Sequence, residues 1–207
     1  MAIIKRGILG GFSNKIGSVV GSSWKGIAVM RSLPLSVANP DTAKQRTQRS
    51  AFRTVSQFAS QILTGWIKPL WDREAHQMSG YNAFIQANID FVKNAGYLKP
   101  IDMIFSRGRL GGTDFTATPN VGETAVEIVW NPTPSGSFQL ADDNAYVLLV
   151  DVQNGLVGMS SAEAVRSEST VTVDVSGETS GSGVIAVLAF LRADGTISGD
   201  SVKKLVE

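Results

Sequence analysis

Residues 124–130 read TAVEIVW, residues 145–152 AYVLLVDV and residues 183–191 GVIAVLAFL. From about Ile101 onward the chain consists of such stretches, of period two and separated by polar turns, which is the pattern of β-strands. The pattern predicts strands at Met103–Arg107, Asp114–Ala117, Thr124–Trp130, Ala145–Val152, Leu156–Ser160, Thr170–Val175, Gly183–Leu191 and Ser201–Val206. Asn154-Gly155 and Asp194-Gly195 are tight hairpin signals, because Asn, Asp and Gly tolerate the positive φ that such turns need. Seven or eight strands over ~105 residues predict an immunoglobulin- or fibronectin-like β-sandwich, with Trp130 in its core and an open barrel as the alternative.

Ahead of the strands the period is that of helices. Asn39-Pro40-Asp41 reads as a helix start, with Asn39 at the N-cap, Pro40 at the first helical position and Asp41 near the positive end of the dipole. Phe52, Val55, Ala59, Ile62 and Trp66 follow at steps of three and four, the apolar face of a helix over about Pro40–Leu63. Gly65 and Pro69 interrupt it, and a short second helix carries Trp66, Leu70 and Trp71. Ser79-Gly80 opens a third helix to about Lys93, with Tyr81, Phe84, Ile85 and Ile89 inward and Gly96 as its stop.

Residues 1–38 hold Gly7, Gly10, Gly11, Gly17, Gly21 and Gly26 among apolar residues, too much glycine for a helix. Ser18–Trp24 and Ile27–Ser32 read as two strands joined near Lys25-Gly26. Glycine inside a strand marks a bulge or the close approach of another backbone. A hairpin so poor in long side chains is marginal by itself in water. It is expected to lean on the rest of the chain or, the reading favoured here, on a neighbouring subunit. The expected organisation is α+β: a glycine-rich basic arm or hairpin over 1–38, a short helical bundle over 39–99 and the sandwich over 100–207.

The net charge of +1 conceals a gradient. Residues 1–53 carry nine Lys/Arg against one acid, Asp41, and residues 110–207 carry four against thirteen acids. A basic front and an acidic back attract copies of one chain head to tail, or aim the front at another anionic partner. Lys44, Arg46, Arg49 and Arg53 are the candidate anionic-partner face, lying together with Gln48 and Gln57 opposite the apolar stripe. Nucleic acid bound without sequence preference is one such partner, though not the favoured one.

The chemistry of an enzyme is sparse. The chain has no cysteine, which excludes disulfides, thiol nucleophiles and cysteine-based metal centres. Its one histidine, His76, stands four residues from Asp72 at a metal-capable spacing, but no second His is available to complete a site. The glycine-rich runs 17–26 and 107–112 lack the order of a phosphate loop, and no G-x-S-x-G elbow is present. No catalytic residue, cofactor or metal is therefore expected. Calcium held by Asp142, Asp143 and Asp151 in a sandwich loop is the alternative to solvated turn acids. The N-terminal apolar run is too short for a signal peptide and no window approaches a membrane span, which predicts synthesis in the cytoplasm.

One resemblance spans nearly the whole chain. Gly7, Gly10, Gly17, Val19, Val20, Gly21, Trp24, Lys25 and Gly26 follow the pattern G-x-x-G-x-x-x-x-x-x-G-x-V-V-G-x-x-W-[KR]-G. Val29, Arg31, Ser32 and Pro34 then fit V-x-[RK]-S-x-P, and Asn39, Pro40, Thr42, Gln45 and Arg49 fit N-P-x-T-x-x-Q-x-x-x-R. MSGYNAF (78–84) and FLRADGTISGD (190–200) continue it. The chain thus resembles an uncharacterised family of Bacteroidota genomes and their phages, and its helix start is similar to segments of phage structural proteins. The resemblance implies a mobile element or virion and a structural component.

The expected function is a non-enzymatic structural subunit of a repeated assembly, a phage or phage-like virion protein of the capsid, decoration or tail. Its partners are copies of itself and other virion proteins, and its location is the virion or assembled particle. Val20, Trp24, Lys25 and Arg31 are the candidate subunit contacts, made by backbone pairing with apolar anchors. The alternatives are a monomeric immunoglobulin-like binding or adhesin module and a sequence-blind nucleic-acid binder.

Overall fold

A computed structural model describes residues 3–4, 11–36, 40–119, 125–152, 155–176 and 183–206. It divides into two compact units, Met1–Thr42 and Ala43–Glu207. Asn39, Thr124 and Asn154, named above as helix cap, strand start and turn residue, lie outside the described residues, as do Gly7 and Gly10.

The first unit is an antiparallel sheet of β1 (Ile3–Ile4), β2 (Phe12–Ile16), β3 (Val19–Trp24) and β4 (Ile27–Ser32), in that order. The predicted two strands are present and β2 extends them into a meander. Its sequence, FSNKI, gives little strand signal, because Asn14 sits in the left-handed region at φ 82° and interrupts the alternation.

The second unit opens with α1 (Ala43–Gln61), followed by a π-helical turn (Leu63–Ile67), α2 (Lys68–Trp71) and α3 (Gly80–Ala95). The first helix starts at Ala43 rather than Pro40, so Pro40 and Asp41 precede it instead of forming its first turn. Phe52 is also corrected: it is 51% exposed, and Ala51, Val55, Phe58 and Ala59 take the core face. At roughly 100° per residue Phe58, Ala51, Ile62, Val55 and Ala59 span one arc of about 100°, and Phe52 falls just beyond its Ala59 end. Ser79 caps α3 by accepting from Asn82 N at 3.3 Å, and Gly96 ends it at φ 80°.

Seven strands follow: β5 (Phe115–Pro119), β6 (Ala125–Trp130), β7 (Asn144–Asp151), β8 (Gly155–Val165), β9 (Thr170–Asp174), β10 (Val184–Leu191) and β11 (Val202–Leu205). They form two antiparallel sheets, β5-β6-β9 and β11-β10-β7-β8, which pack as a β-sandwich. The central strands β7 and β10 are apolar on both sides. Ala145, Val147, Leu149, Ala186, Leu188 and Phe190 face the three-stranded sheet, packed with Phe115, Ile128 and Trp130. Tyr146, Leu148, Val150, Ile185, Val187 and Ala189 face the helices, packed with Phe58, Trp66, Trp71 and Phe84. Helices and sandwich, read from the sequence as successive regions, therefore share one core within residues 43–207.

The predicted strand Met103–Arg107 is not one. The segment joins no ladder, and mostly side chains supply the partners of its backbone instead. Phe105 O accepts from both Trp66 Nε1 (2.9 Å) and Trp71 Nε1 (2.6 Å). Asn88, fully buried on α3, donates to Ile104 O at 2.9 Å and Phe84 O at 3.0 Å, and accepts from Ile104 N at 2.7 Å. Lys203 Nζ donates to Ile101 O and Met103 O, at 2.6 and 2.7 Å, and burial pushes this ammonium below its ordinary pKa. An amide side chain thus takes the place of a neighbouring strand, so a period-two sequence is buried without a β-partner.

The acids at 142–143 also differ from expectation. Asp142 is exposed, but Asp143 is buried, its Oδ2 accepting from Leu140 N (2.9 Å) and from Arg166 Nε (3.3 Å). Arg166 is equally buried, donates to Thr113 Oγ1 at 2.8 Å and stacks 3.8 Å from the centre of the Phe190 ring. Its carbonyl accepts from Trp130 Nε1 at 2.8 Å. Burial lowers the guanidinium's pKa and Asp143 pulls it back up.

Two outcomes follow from these buried polar groups. Asn88→Leu leaves Ile104 without donor and acceptor, and is expected to cost about 2–4 kcal/mol in urea unfolding, against under about 0.5 kcal/mol for a solvent-side change such as Gln86→Ala. Arg166→Met strands a buried carboxylate and is expected to cost about 3–5 kcal/mol, with much of that recovered when Asp143→Leu is added.

Candidate subunit-contact site

The N-terminal sheet is built around its glycines. Trp24 pairs with Ile27 across Lys25 (φ 45°) and Gly26 (φ 85°), two consecutive left-handed residues, as a type I′ turn demands. Gly17, at φ 56°, makes the other tight turn, between Ile16 and Val19. At Gly21 the constraint is space: the Phe12 carbonyl oxygen and ring occupy the position a Cβ would take. This is the close backbone approach that a glycine inside a strand foretells.

Pairing then decides which side chains share a face. Lys15, Val20 and Arg31 form one cross-strand row, Ser22 with Val29 the next, and Trp24 with Ile27 the last. Of the four predicted contact residues, Val20, Trp24 and Arg31 are brought together on this face, and Lys25 stands in the turn at its end. Val29, Ile27 and Lys15 complete the surface and were not singled out in the sequence. Their signal was present in the turn: once Lys25-Gly26 closes the hairpin, counting outward in pairs sets Val29 and Arg31 beside Ser22 and Val20.

The sheet has almost no interior. Among its described residues 11–36 only Gly21 is buried, with Phe12 and Val20 half-buried. Trp24 is 56% exposed and Met30 68%, and Ile16, Ile27 and Val29 are exposed too. The segment 11–36 has three cations, Lys15, Lys25 and Arg31, and no acid.

The second candidate face lies on α1, where all four cations are exposed. Helical geometry places Arg46, Arg49 and Arg53 within about 60° of one another, beside the exposed Phe52, and Lys44 roughly on the opposite side. The predicted four-residue face is therefore a three-arginine face.

The groups considered for metal chemistry are placed otherwise. His76 is exposed in the loop before α3, while Asp72 Oδ1 accepts from Gly80 N at 2.8 Å. An open cleft of about 600 Å³ runs past His76, lined also by Trp71, Glu74, Gln86 and Arg107. Among the described residues no cluster of three or more His, Asp or Glu is placed to hold a metal ion. None of the helices among them is long and apolar enough to cross a membrane.

Fold and site together define an α+β protein, a helix-covered β-sandwich with a separate N-terminal sheet whose apolar side chains stand exposed. A family model described as "Family of unknown function (DUF6266)" matches residues 11–203, and the chain belongs to that family. No curated protein and no solved structure matches it.

Gly21→Val sets two methyl groups against the Phe12 carbonyl and ring. It is expected to remove hydrogen-exchange protection from amides of residues 12–32 while leaving protection in β7 and β10 unchanged, as read by mass spectrometry of exchanged peptides.

Proposed function

We propose that this chain is a non-enzymatic structural subunit of a repeated assembly, in which the N-terminal sheet of one copy seats on another copy. The observation carrying this reading is a folded, regular sheet with exposed valine, isoleucine and tryptophan on a basic face and hardly any core. Such a surface gains most of its stability when covered. The occupant is a second copy because charge favours it: three cations and no acid in residues 11–36 face a C-terminal half with nine acids in excess. The resemblance of the N-terminal motifs to a family of Bacteroidota and their phages supports a virion component, with the particle as its location.

The sandwich is read as immunoglobulin- or fibronectin-like, a reading supported by its sheet orders, β5-β6-β9 against β11-β10-β7-β8, and by the buried Trp130 on β6. A second reading, a monomeric binding module, is favoured by the β6–β7 loop. There the buried Gln139 accepts from Ser135 N (2.8 Å) and donates to Leu110 O (2.8 Å), holding Phe138 and Leu140, both about half exposed, to solvent on either side.

Light scattering of the full-length protein across concentration and salt separates the two. The subunit reading expects an oligomer that weakens as salt screens the charge contacts, and a shift toward monomer in Trp24→Ser/Val29→Ser. A wild-type monomer at every concentration overturns it in favour of the binding module.

A further inference from the structure

We infer that two copies join through β4, edge to edge and antiparallel about a two-fold axis at Met30, which leaves their basic faces to the acidic C-terminal halves of further copies; this rests on the assembly reading above. The sandwich's own edges are blunted. β11 carries Lys203 and Lys204, β5 ends at Pro119, and the β7–β8 ladder has register shifts at Ala145/Tyr146 and at Leu149/Val150. Two residues past the end of β9, Ser176 N–H donates to Val157 O of β8 at 2.6 Å. β4 has none of these devices. Its six residues pair with β3 in unbroken register, without proline or bulge and with one charge, and among the described residues it has no strand on its other side.

The hairpin also states which backbone groups are on offer. In a two-residue hairpin the closing pair, here Trp24 with Ile27, is a hydrogen-bonded pair, and such pairs alternate along the ladder. Leu33 N donates to Ser18 O at 2.6 Å, in step with that alternation. Ile27, Val29 and Arg31 therefore turn their N–H and C=O groups to β3, and Ala28, Met30 and Ser32 turn theirs to the open edge. Two antiparallel β4 strands must match open group to open group. Centring on Met30 sets Ala28 of each copy against Ser32 of the other and gives about six backbone hydrogen bonds. Arg31 then lies opposite Val29. Sliding one step toward Ser32 sets Arg31 against Arg31, like charges directly opposed. Sliding the other way draws the Gly26 turn into the ladder. The favoured register joins the two Val20–Trp24–Val29 faces into one continuous platform.

The absence of cysteine makes the test direct. Met30→Cys places one thiol on the axis, roughly 5.5 Å in Cα separation from its counterpart and within disulfide reach. Mild oxidation of the full-length variant is expected to give a covalent dimer, whereas Ser22→Cys, one strand inward, stays uncross-linked. Met30→Lys, at a side chain already exposed, is expected to weaken association about tenfold or more without lowering the unfolding temperature of the monomer. If wild type oligomerises but Met30→Cys does not cross-link, or Ser22→Cys cross-links equally well, the β4 contact is wrong while the assembly reading stands. A wild-type monomer at every concentration removes both.

Discussion

The body of this protein depends on a sheet that water can touch on neither face. β7 and β10 place large apolar side chains to both sides, and each buried Leu or Phe contributes roughly 1.5–3 kcal/mol only if something covers it. The three-stranded sheet covers one face and the helices the other. That requirement explains why the helical stretch is no separate bundle: Phe58, Trp66 and Phe84 meet Leu148, Val150 and Val187 before they meet water.

Double cover creates a second problem, because the chain must pass from helix layer to sheet layer through the interior. Residues 103–107 make that passage, and their backbone polar groups need partners where neither helix nor ladder supplies them. Two indole N–H groups on one carbonyl, a buried asparagine amide and a lysine ammonium supply them. Asp143 and Arg166 serve the sandwich similarly, tying the loop before β7 to the turn before β9. Buried polar groups of this kind specify one arrangement more than they add stability.

The N-terminal sheet obeys the opposite rule. Glycine at 17, 21 and 26 permits tight turns and close strands, and the same economy of side chains leaves no interior. A sheet held mainly by its ladder, with valine and tryptophan outward, is suited to completion by a partner. Its uninterrupted edge contrasts with the lysines, proline and bulges at the edges of the sandwich.

Much of this was legible in the chain alone. Local chemistry determined the type and approximate place of seven sandwich strands, three helices and the β3–β4 hairpin, because periodicity, Gly96 and Lys25-Gly26 act over a few residues. Long-range partnership was not legible. Met103–Arg107 alternates like a strand, yet Asn88 and two tryptophans, distant in sequence, bind its backbone. Phe52 fits an apolar spacing, but the position of the sheet turns Phe58 inward instead. Asp143 reads as a solvated turn acid until Arg166, on another element, is folded against it. The grouping of Val20, Trp24 and Arg31 lies between these cases, since strand pairing sets it and a single turn fixes the pairing. Sequence determined what each segment could form; tertiary structure decided which face was buried and which polar group met which, because burial and hydrogen bonding are properties of neighbours in space.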